Sequence, residues 1–204
     1  MTLPDWLTDF LEPAWEGIKE LAEQSNDKYD GLYLVCAYIA YNQVCEECGR
    51  KFASDGEAVE EYFEDVLENL FLRNYPVNEV SKIEIQSLDG TTEEFDGDYL
   101  TILQRNTYKV LLDMSSSSVF LSGATGEMIP LLKLTYKYGA AVISDLPAIE
   151  AAVITQGLAI WKRKDYVGVT NTEQTSFASP EVGDIPLLDS VKNDLLRGWK
   201  FYSV

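Results

Sequence analysis

Histidine does not occur in this chain of 204 residues. Its absence removes every Ser-His and Cys-His nucleophile pair. It also means that Cys36, Cys45 and Cys48 cannot close a four-ligand zinc site unless carboxylates join them. Cys45 and Cys48 form a C-x-x-C, but a redox pair of that kind follows a strand, whereas these thiols lie in one apolar segment that reads as a helix. Reduced thiols are expected. Cations are scarce as well: Lys+Arg 16 stand against Asp+Glu 34, a formal net charge of -18. The bulk surface therefore repels phosphates and anionic membranes, and tight DNA binding is not expected. No glycine-rich phosphate loop is present, and no apolar run is long enough to span a membrane. The opening Met1-Thr2-Leu3-Pro4-Asp5 lacks the basic region and apolar run of a secretory signal. Together these absences predict a protein that is not an enzyme and needs no cofactor or metal.

A hydrophobic content of 46%, with 12 Tyr and 4 Trp, is that of a folded protein and not of a disordered acidic tail. Leu3, Trp6, Leu7, Phe10, Leu11, Trp15, Ile18 and Leu21 recur at helical spacing, which predicts two short amphipathic helices meeting near Pro13. A stronger helix is predicted from about Gly31 to Cys48. Residues Leu32 to Ala40 leave it almost no polar face, so it is expected to be buried on several sides, in the core or between subunits. Residues 57 to 72 read two ways: Val59, Tyr62, Phe63, Val66, Leu67 and Leu70 suit a helix, whereas residues 69 to 77 suit a strand entering a turn.

Beyond that point the β signal strengthens. Val80, Ile83 and Ile85 mark a strand, Asp89-Gly90 a hairpin turn, and Phe95, Tyr99 and Ile102 a continuation of the sheet. Val110-Leu111-Leu112 and Val119-Phe120-Leu121 are expected to form a further strand pair. Leu132, Leu134 and Tyr136 then alternate with Lys133, Thr135 and Lys137 as in a half-buried strand, and Gly139 can release the chain from it. Pro147 opens the central core helix, with Ile149, Ala152, Val153, Ile160 and Trp161 as its apolar stripe. A long loop around Thr175, Ser176 and Phe177 is a candidate binding loop. A last helix is predicted from Pro186 or Leu187, with Leu188, Val191, Leu195 and Leu196 on one side. The fold class is α+β: a mainly helical body formed by residues 1–54 and 139–204, the latter ending in an extended tail, interrupted by a β-rich subdomain over 55–138.

Two stretches invite chemistry. Asp96-Gly97-Asp98 resembles the start of a calcium loop, but Leu100 and Thr107 occupy positions that need carboxylates, which leaves a solvated turn. Pairs among Glu93, Glu94, Asp96 and Asp98 could serve as acid and base in a hydrolase, a weak reading in a chain this rich in carboxylates. The run Glu57, Glu60, Glu61, Glu64, Asp65 and Glu68 is either a solubilising face or a negative surface past which DNA moves without sticking. An acidic protein without a catalytic set is also compatible with a DNA-mimicking decoy that occupies a nucleic-acid-processing partner. The terminal Trp199, Lys200, Phe201, Tyr202, Ser203 and Val204 are too aromatic for a solvated tail. Either Trp199 and Phe201 fold back onto the core, or the segment docks elsewhere.

Further motifs recur in a definite order: Cys48-Gly49-Arg50-Lys51-Phe52 closing a helix; Leu70 to Val77 followed by Val80 and Asp89-Gly90; Leu134-Thr135-Tyr136 with Gly139 and Pro147; Arg163 and Gly168; Ser176-Phe177; Ile185-Pro186 with Val191-Lys192 and Leu195-Leu196. In that order and spacing, from about residue 32 to the C-terminus, the chain resembles the head-to-tail adaptor, or head-completion connector, family of tailed bacteriophages. The amphipathic N-terminus and the acidic run 57–68 depart from the family pattern. The resemblance implies a virion structural protein of the neck, made in the host cytoplasm. Its copies would form a dodecameric ring beneath the portal protein and lengthen the channel through which viral DNA passes without tight binding, with no membrane involved. Its partners would be the portal and a tail-side stopper or tail-completion protein. It further implies that Trp199, Lys200, Phe201, Tyr202 and Val204 dock on the portal, and that Glu57, Glu60, Glu61, Glu64, Asp65, Glu93, Glu94, Asp96 and Asp98 line the channel.

Overall fold

The computed structural model describes residues 3–22, 29–63, 69–86, 92–94, 99–104, 107–112, 131–163, 186–197 and 199. They fall into two compact units, one formed by Met1–Asp55 and Ala140–Val204 and the other by Gly56–Gly139. The first unit is helical and the second is built from antiparallel strands, so the chain has an α+β fold.

The helical unit begins with α1, Asp5–Leu21, whose buried Leu7, Phe10, Leu11, Ala14 and Ile18 form a single stripe. This helix is continuous where two helices meeting near Pro13 were expected. Pro13 denies a donor only to the carbonyl one turn earlier, at Asp9, and Asp9 lies on the solvent side, where water can take that role. Helix α2, Asp30–Cys48, ends on Gly49 in the left-handed region (φ 63°). The Gly49 and Arg50 amides donate to the Glu46 and Cys45 carbonyls at 3.1 Å each, a Schellman closure that explains the glycine. After a 3₁₀ turn at Ile143–Asp145 comes α3, Pro147–Lys162, with Pro147 in its first turn.

These helices pack on one another through glycines. A Cβ on Gly157 would run into the Ile18 side chain, and one on Gly17 would sit 2.7 Å from Ile154 Cδ1. At the far end of the unit Tyr33 and Trp161 rings lie 4.2 Å apart between centroids.

The last described segment is not the regular helix expected from residue 186 or 187. It winds as a short wide turn, Val191–Leu195, with the Leu196 amide donating to the Val191 carbonyl at 3.0 Å. That winding brings Val191 and Leu196, five positions apart, to the buried side, while Leu188 and Leu195 are only half-buried.

In the second unit, β1 (Val59–Phe63), β3 (Val77–Gln86), β4 (Thr92–Glu94) and β7 (Leu131–Tyr138) form a four-stranded antiparallel sheet in the order β1-β7-β3-β4. Strands β2 (Asn69–Leu72), β5 (Tyr99–Gln104) and β6 (Thr107–Leu112) form a second sheet in the order β2-β6-β5. Within the ambiguous stretch 57–72 the described residues therefore include two strands. Tyr99 and Ile102 belong to a separate sheet instead of continuing the first. Val110 to Leu112 pair with β5 and β2; residues 119–121 lie outside the described residues, as does Asp89-Gly90, although Gln86 pairs with Thr92. Leu132, Leu134, Tyr136 and Tyr138 of β7 are all buried, together with Ile83 and Ile85 of β3. Register shifts in β3 between Val77 and Glu79 and between Val80 and Lys82 keep Val77, Val80, Ile83 and Ile85 opposite that buried row.

Candidate functional site

The sequence singles out the C-terminal segment and the acidic stretches, and the structure gives the described residues of each a setting. The C-terminal segment is held by Gln156, the polar side chain on the otherwise apolar buried side of α3. Its Nε2 donates to Gln43 Oε1 at 2.8 Å and to the Pro186 carbonyl at 3.2 Å. Its Oε1 accepts from the Leu188 amide at 3.0 Å. One amide thus satisfies both kinds of backbone group on the segment that enters the final turn, as burial of a polar side chain requires. Lys192 adds a half-exposed ion pair with Glu47 of α2 at 3.2 Å. Sequence reasoning missed Gln156. The available signal was an amide next to Gly157 on the buried side of an apolar helix.

Trp199 is half-buried, and its ring meets Phe52 edge to face with centroids 6.0 Å apart. Phe52 is itself fully buried just beyond α2. Its position is set by Tyr41, whose hydroxyl accepts from the Phe52 amide at 3.3 Å and the Ala53 amide at 2.9 Å. Burial pushes the Tyr41 phenol well above its ordinary range, so it stays neutral. The Phe52 carbonyl accepts from Ala140 at 3.0 Å, pairing the two places where the chain leaves and re-enters the helical unit. Of the expected docking residues, Trp199 therefore lies against the protein's own core. Lys200, Phe201, Tyr202 and Val204 lie outside the described residues, as do Thr175, Ser176 and Phe177 of the expected binding loop.

The acidic positions separate into different settings. Glu57 is exposed ahead of β1. Glu61 accepts from the Tyr136 hydroxyl at 2.7 Å and from the Arg73 amide at 3.1 Å, while Tyr136 accepts from Asn74 Nδ2 at 3.3 Å. That network ties β1 and β7 to the turn between β2 and β3. Burial, reinforced by the Glu61 charge, pushes the Tyr136 phenol well above its ordinary range. Glu60 and Glu84 lie on the solvent face of the sheet with lysines between them. Lys133 reaches Glu60 at 2.6 Å and Glu84 at 3.4 Å, and Lys82 reaches Glu84 at 2.7 Å. Hydrogen bonds from Lys133 hold the Glu60 carboxyl below the usual range, and those from Lys82 and then Lys133 do the same for Glu84.

Lys137 and Glu79 continue the alternation at 3.6 Å. Glu93 and Glu94 are exposed on β4, and because they are adjacent in a strand they point to opposite faces. Glu64, Asp65, Glu68, Asp96 and Asp98 lie outside the described residues. This face is thus a lattice of both signs. Cys36, Cys45 and Cys48 are thiols and not disulfide-bonded, with Cys36 and Cys48 buried. Burial pushes the Cys45 thiol up to about 11, far from thiolate reactivity.

No protein-family model matches the chain, and no curated protein matches it significantly. Its fold is nonetheless found among solved structures over its whole length. A chain in the neck of an empty gene transfer agent (GTA) particle computed with C6 symmetry aligns with TM-score 0.53 and 11% identity, covering 100% of this chain and 96% of that one. A chain in the virion of a native GTA particle aligns with TM-score 0.55 and 14% identity, covering 100% and 94%. One in the neck of a native GTA particle computed with C12 symmetry gives 0.51 and 12%, again covering 100% and 94%. The class defined here is an α+β fold shared with chains of GTA particles. At these identities the likeness is one of fold.

Proposed function

We propose that this chain is a structural component of the neck of a phage-like particle: a non-enzymatic head-to-tail adaptor. Its copies form a ring on the portal protein and extend the DNA exit channel toward a tail-side stopper or completion protein. The observation that carries the reading is the fold match to GTA neck chains over 100% of this chain, with little of those chains left uncovered. A fold alone does not fix a function. The order of adaptor-like motifs and a sequence without histidine point the same way. The six- and twelvefold symmetries of those necks suit a ring. In that ring the exposed Glu57, Glu60, Glu93 and Glu94 are the described candidates for the channel wall.

Electron cryomicroscopy of particles containing the tagged chain tests this. Rings of the chain between portal and tail are expected; particles whose necks contain no copy would overturn the reading. The row Asp5, Asp9, Glu12, Glu16 and Glu20, all exposed on α1, favours a second reading, a decoy for a nucleic-acid-binding partner. A decoy stays monomeric or dimeric when portal is added, so size in solution with and without portal separates the two.

A further inference from the structure

The segment that closes the helical unit changes its winding twice between Leu188 and Trp199. The Lys192 amide donates to the Leu188 carbonyl at 2.9 Å, the spacing of an α-helix. The Leu196 amide then reaches back five positions, to the Val191 carbonyl at 3.0 Å, and the Trp199 amide only three, to Leu196 at 2.9 Å. A five-residue turn takes up one residue more than a regular helix needs; such turns are rare and are found frequently at functional sites. The entry to the segment is fixed, because Gln156 bonds both the Pro186 carbonyl and the Leu188 amide. A change of winding therefore moves the chain on the far side, toward Trp199.

The apolar residues support two windings. With the wide turn, Val191 and Leu196 are buried and Leu195 is half-buried. In a regular helix Leu188, Val191 and Leu195, spaced three and four apart, share one face, and Leu196 leaves it. Two adjacent leucines thus compete for one buried position, each serving a different winding. Asn193 and Asp194, within the turn, are exposed and put no packing in the way. The ion pair of Lys192 with Glu47 lies ahead of the extra residue and is compatible with both windings.

We propose that residues 188–197 form a register switch: the wide turn stores Trp199 against Phe52, and tightening by one residue, with Leu195 taking the place of Leu196, releases it. Each residue of an α-helix turns the chain through about 100°, so tightening swings the Trp199 ring away from Phe52, which it meets at 6.0 Å between centroids in the wide winding. Tryptophan is enriched among the residues that dominate binding, and a partner that engages only the released ring shifts the population toward the tight winding by its differential affinity. The switch stands on the winding alone and holds whether or not the chain belongs to a neck.

Fluorine NMR of the full-length chain labelled with 5-fluorotryptophan tests this, the Trp199 line being assigned by its loss in Trp199→Phe. Leu196→Ala removes the side chain that only the wide winding buries. It is expected to raise the population of a second, released Trp199 line by at least about tenfold over the parent chain, with the helical circular dichroism retained. Deletion of Asn193 removes the extra residue, so that Val191 and Leu196 stand four apart in a regular helix. In that variant the first line is expected to remain, and the relaxation dispersion that exchange gives the Trp199 line of the parent chain is expected to vanish. A single Trp199 line without exchange in a folded Leu196→Ala protein overturns the proposal. Should Leu196→Ala unfold, the parent and the deletion variant decide: dispersion lost on deleting Asn193 supports the switch, whereas dispersion equal in both, or absent from the parent, overturns it.

Discussion

Gln156 makes three hydrogen bonds from a position without solvent, to Gln43, Pro186 and Leu188. Gln156→Leu keeps much of the volume but removes the partner of the Leu188 amide, the Pro186 carbonyl and the Gln43 side chain. It is expected to destabilise the protein by about 1–3 kcal/mol and to speed tryptic cleavage at the exposed Arg197, read by denaturant titration and limited proteolysis. Normal stability with normal proteolysis would remove Gln156 as the anchor of the C-terminal segment. Tyr136 supports a different test. Its phenol, like those of Tyr41 and Tyr33, is shifted above the ordinary value of 10.0 by burial. Below that value both folded and unfolded phenols are protonated and the native contacts are intact. Above it the unfolded chain loses protons that the folded chain keeps, so stability falls as pH rises. Tyr136→Phe is expected to lower stability by about 1–2 kcal/mol at neutral pH and to flatten the decline above pH 10. Parallel pH profiles for variant and parent would refute that assignment.

At the scale of elements, the helix contacts oppose helix propensity. Alanine is better than glycine within a helix by about 0.8–1 kcal/mol, yet a Cβ at Gly157 would meet Ile18, with the Cys36 carbonyl 3.6 Å away. The steric term is expected to win: Gly157→Ala should cost about 1–3 kcal/mol, and adding Ile18→Val, which removes Cδ1, should recover part of the loss in a double-mutant cycle. The C-terminal segment can be divided in the same spirit. Trp199→Ala is expected to cost about 1–3 kcal/mol, below the value for a fully buried ring, because Trp199 packs on Phe52. Deleting residues 200–204 alone should leave the melting temperature unchanged while abolishing attachment to portal-bearing capsids, if those residues are the docking element.

These elements also show what a sequence carries. The alternation in β7 was readable because one face of that strand is buried, and Pro147 marked the start of α3 because a first-turn proline loses no hydrogen bond. Pro13 misled because its effect depends on which side of the helix it falls. The partner of Val110 to Leu112 was misassigned because alternation identifies a strand and says nothing of its neighbour. Gln156 and the Tyr41 contact to Phe52 and Ala53 join residues distant in the chain, so no local pattern announces them.

For the molecule as a whole, a net charge of -18 without histidine has two consequences. No side chain with an unperturbed pKa between about pH 5 and 8 is present, so stability should be nearly flat from about pH 6 to 8. Self-association should strengthen with added monovalent salt, since screening weakens repulsion between copies; sedimentation velocity at low and high salt would show it, and weaker association at high salt would place ion pairs at the interface instead. The crossing at Phe52 and Ala140 has a consequence for ancestry and engineering alike. Because the Phe52 carbonyl and Ala140 amide are hydrogen-bonded, the outgoing and returning chains are side by side within the helical unit, and the segment from Gly56 to Gly139 is inserted between two neighbouring points of it. Such a segment can be cut out, lengthened or exchanged for a foreign cassette without respacing the helices, provided Tyr41 still grips the outgoing thread.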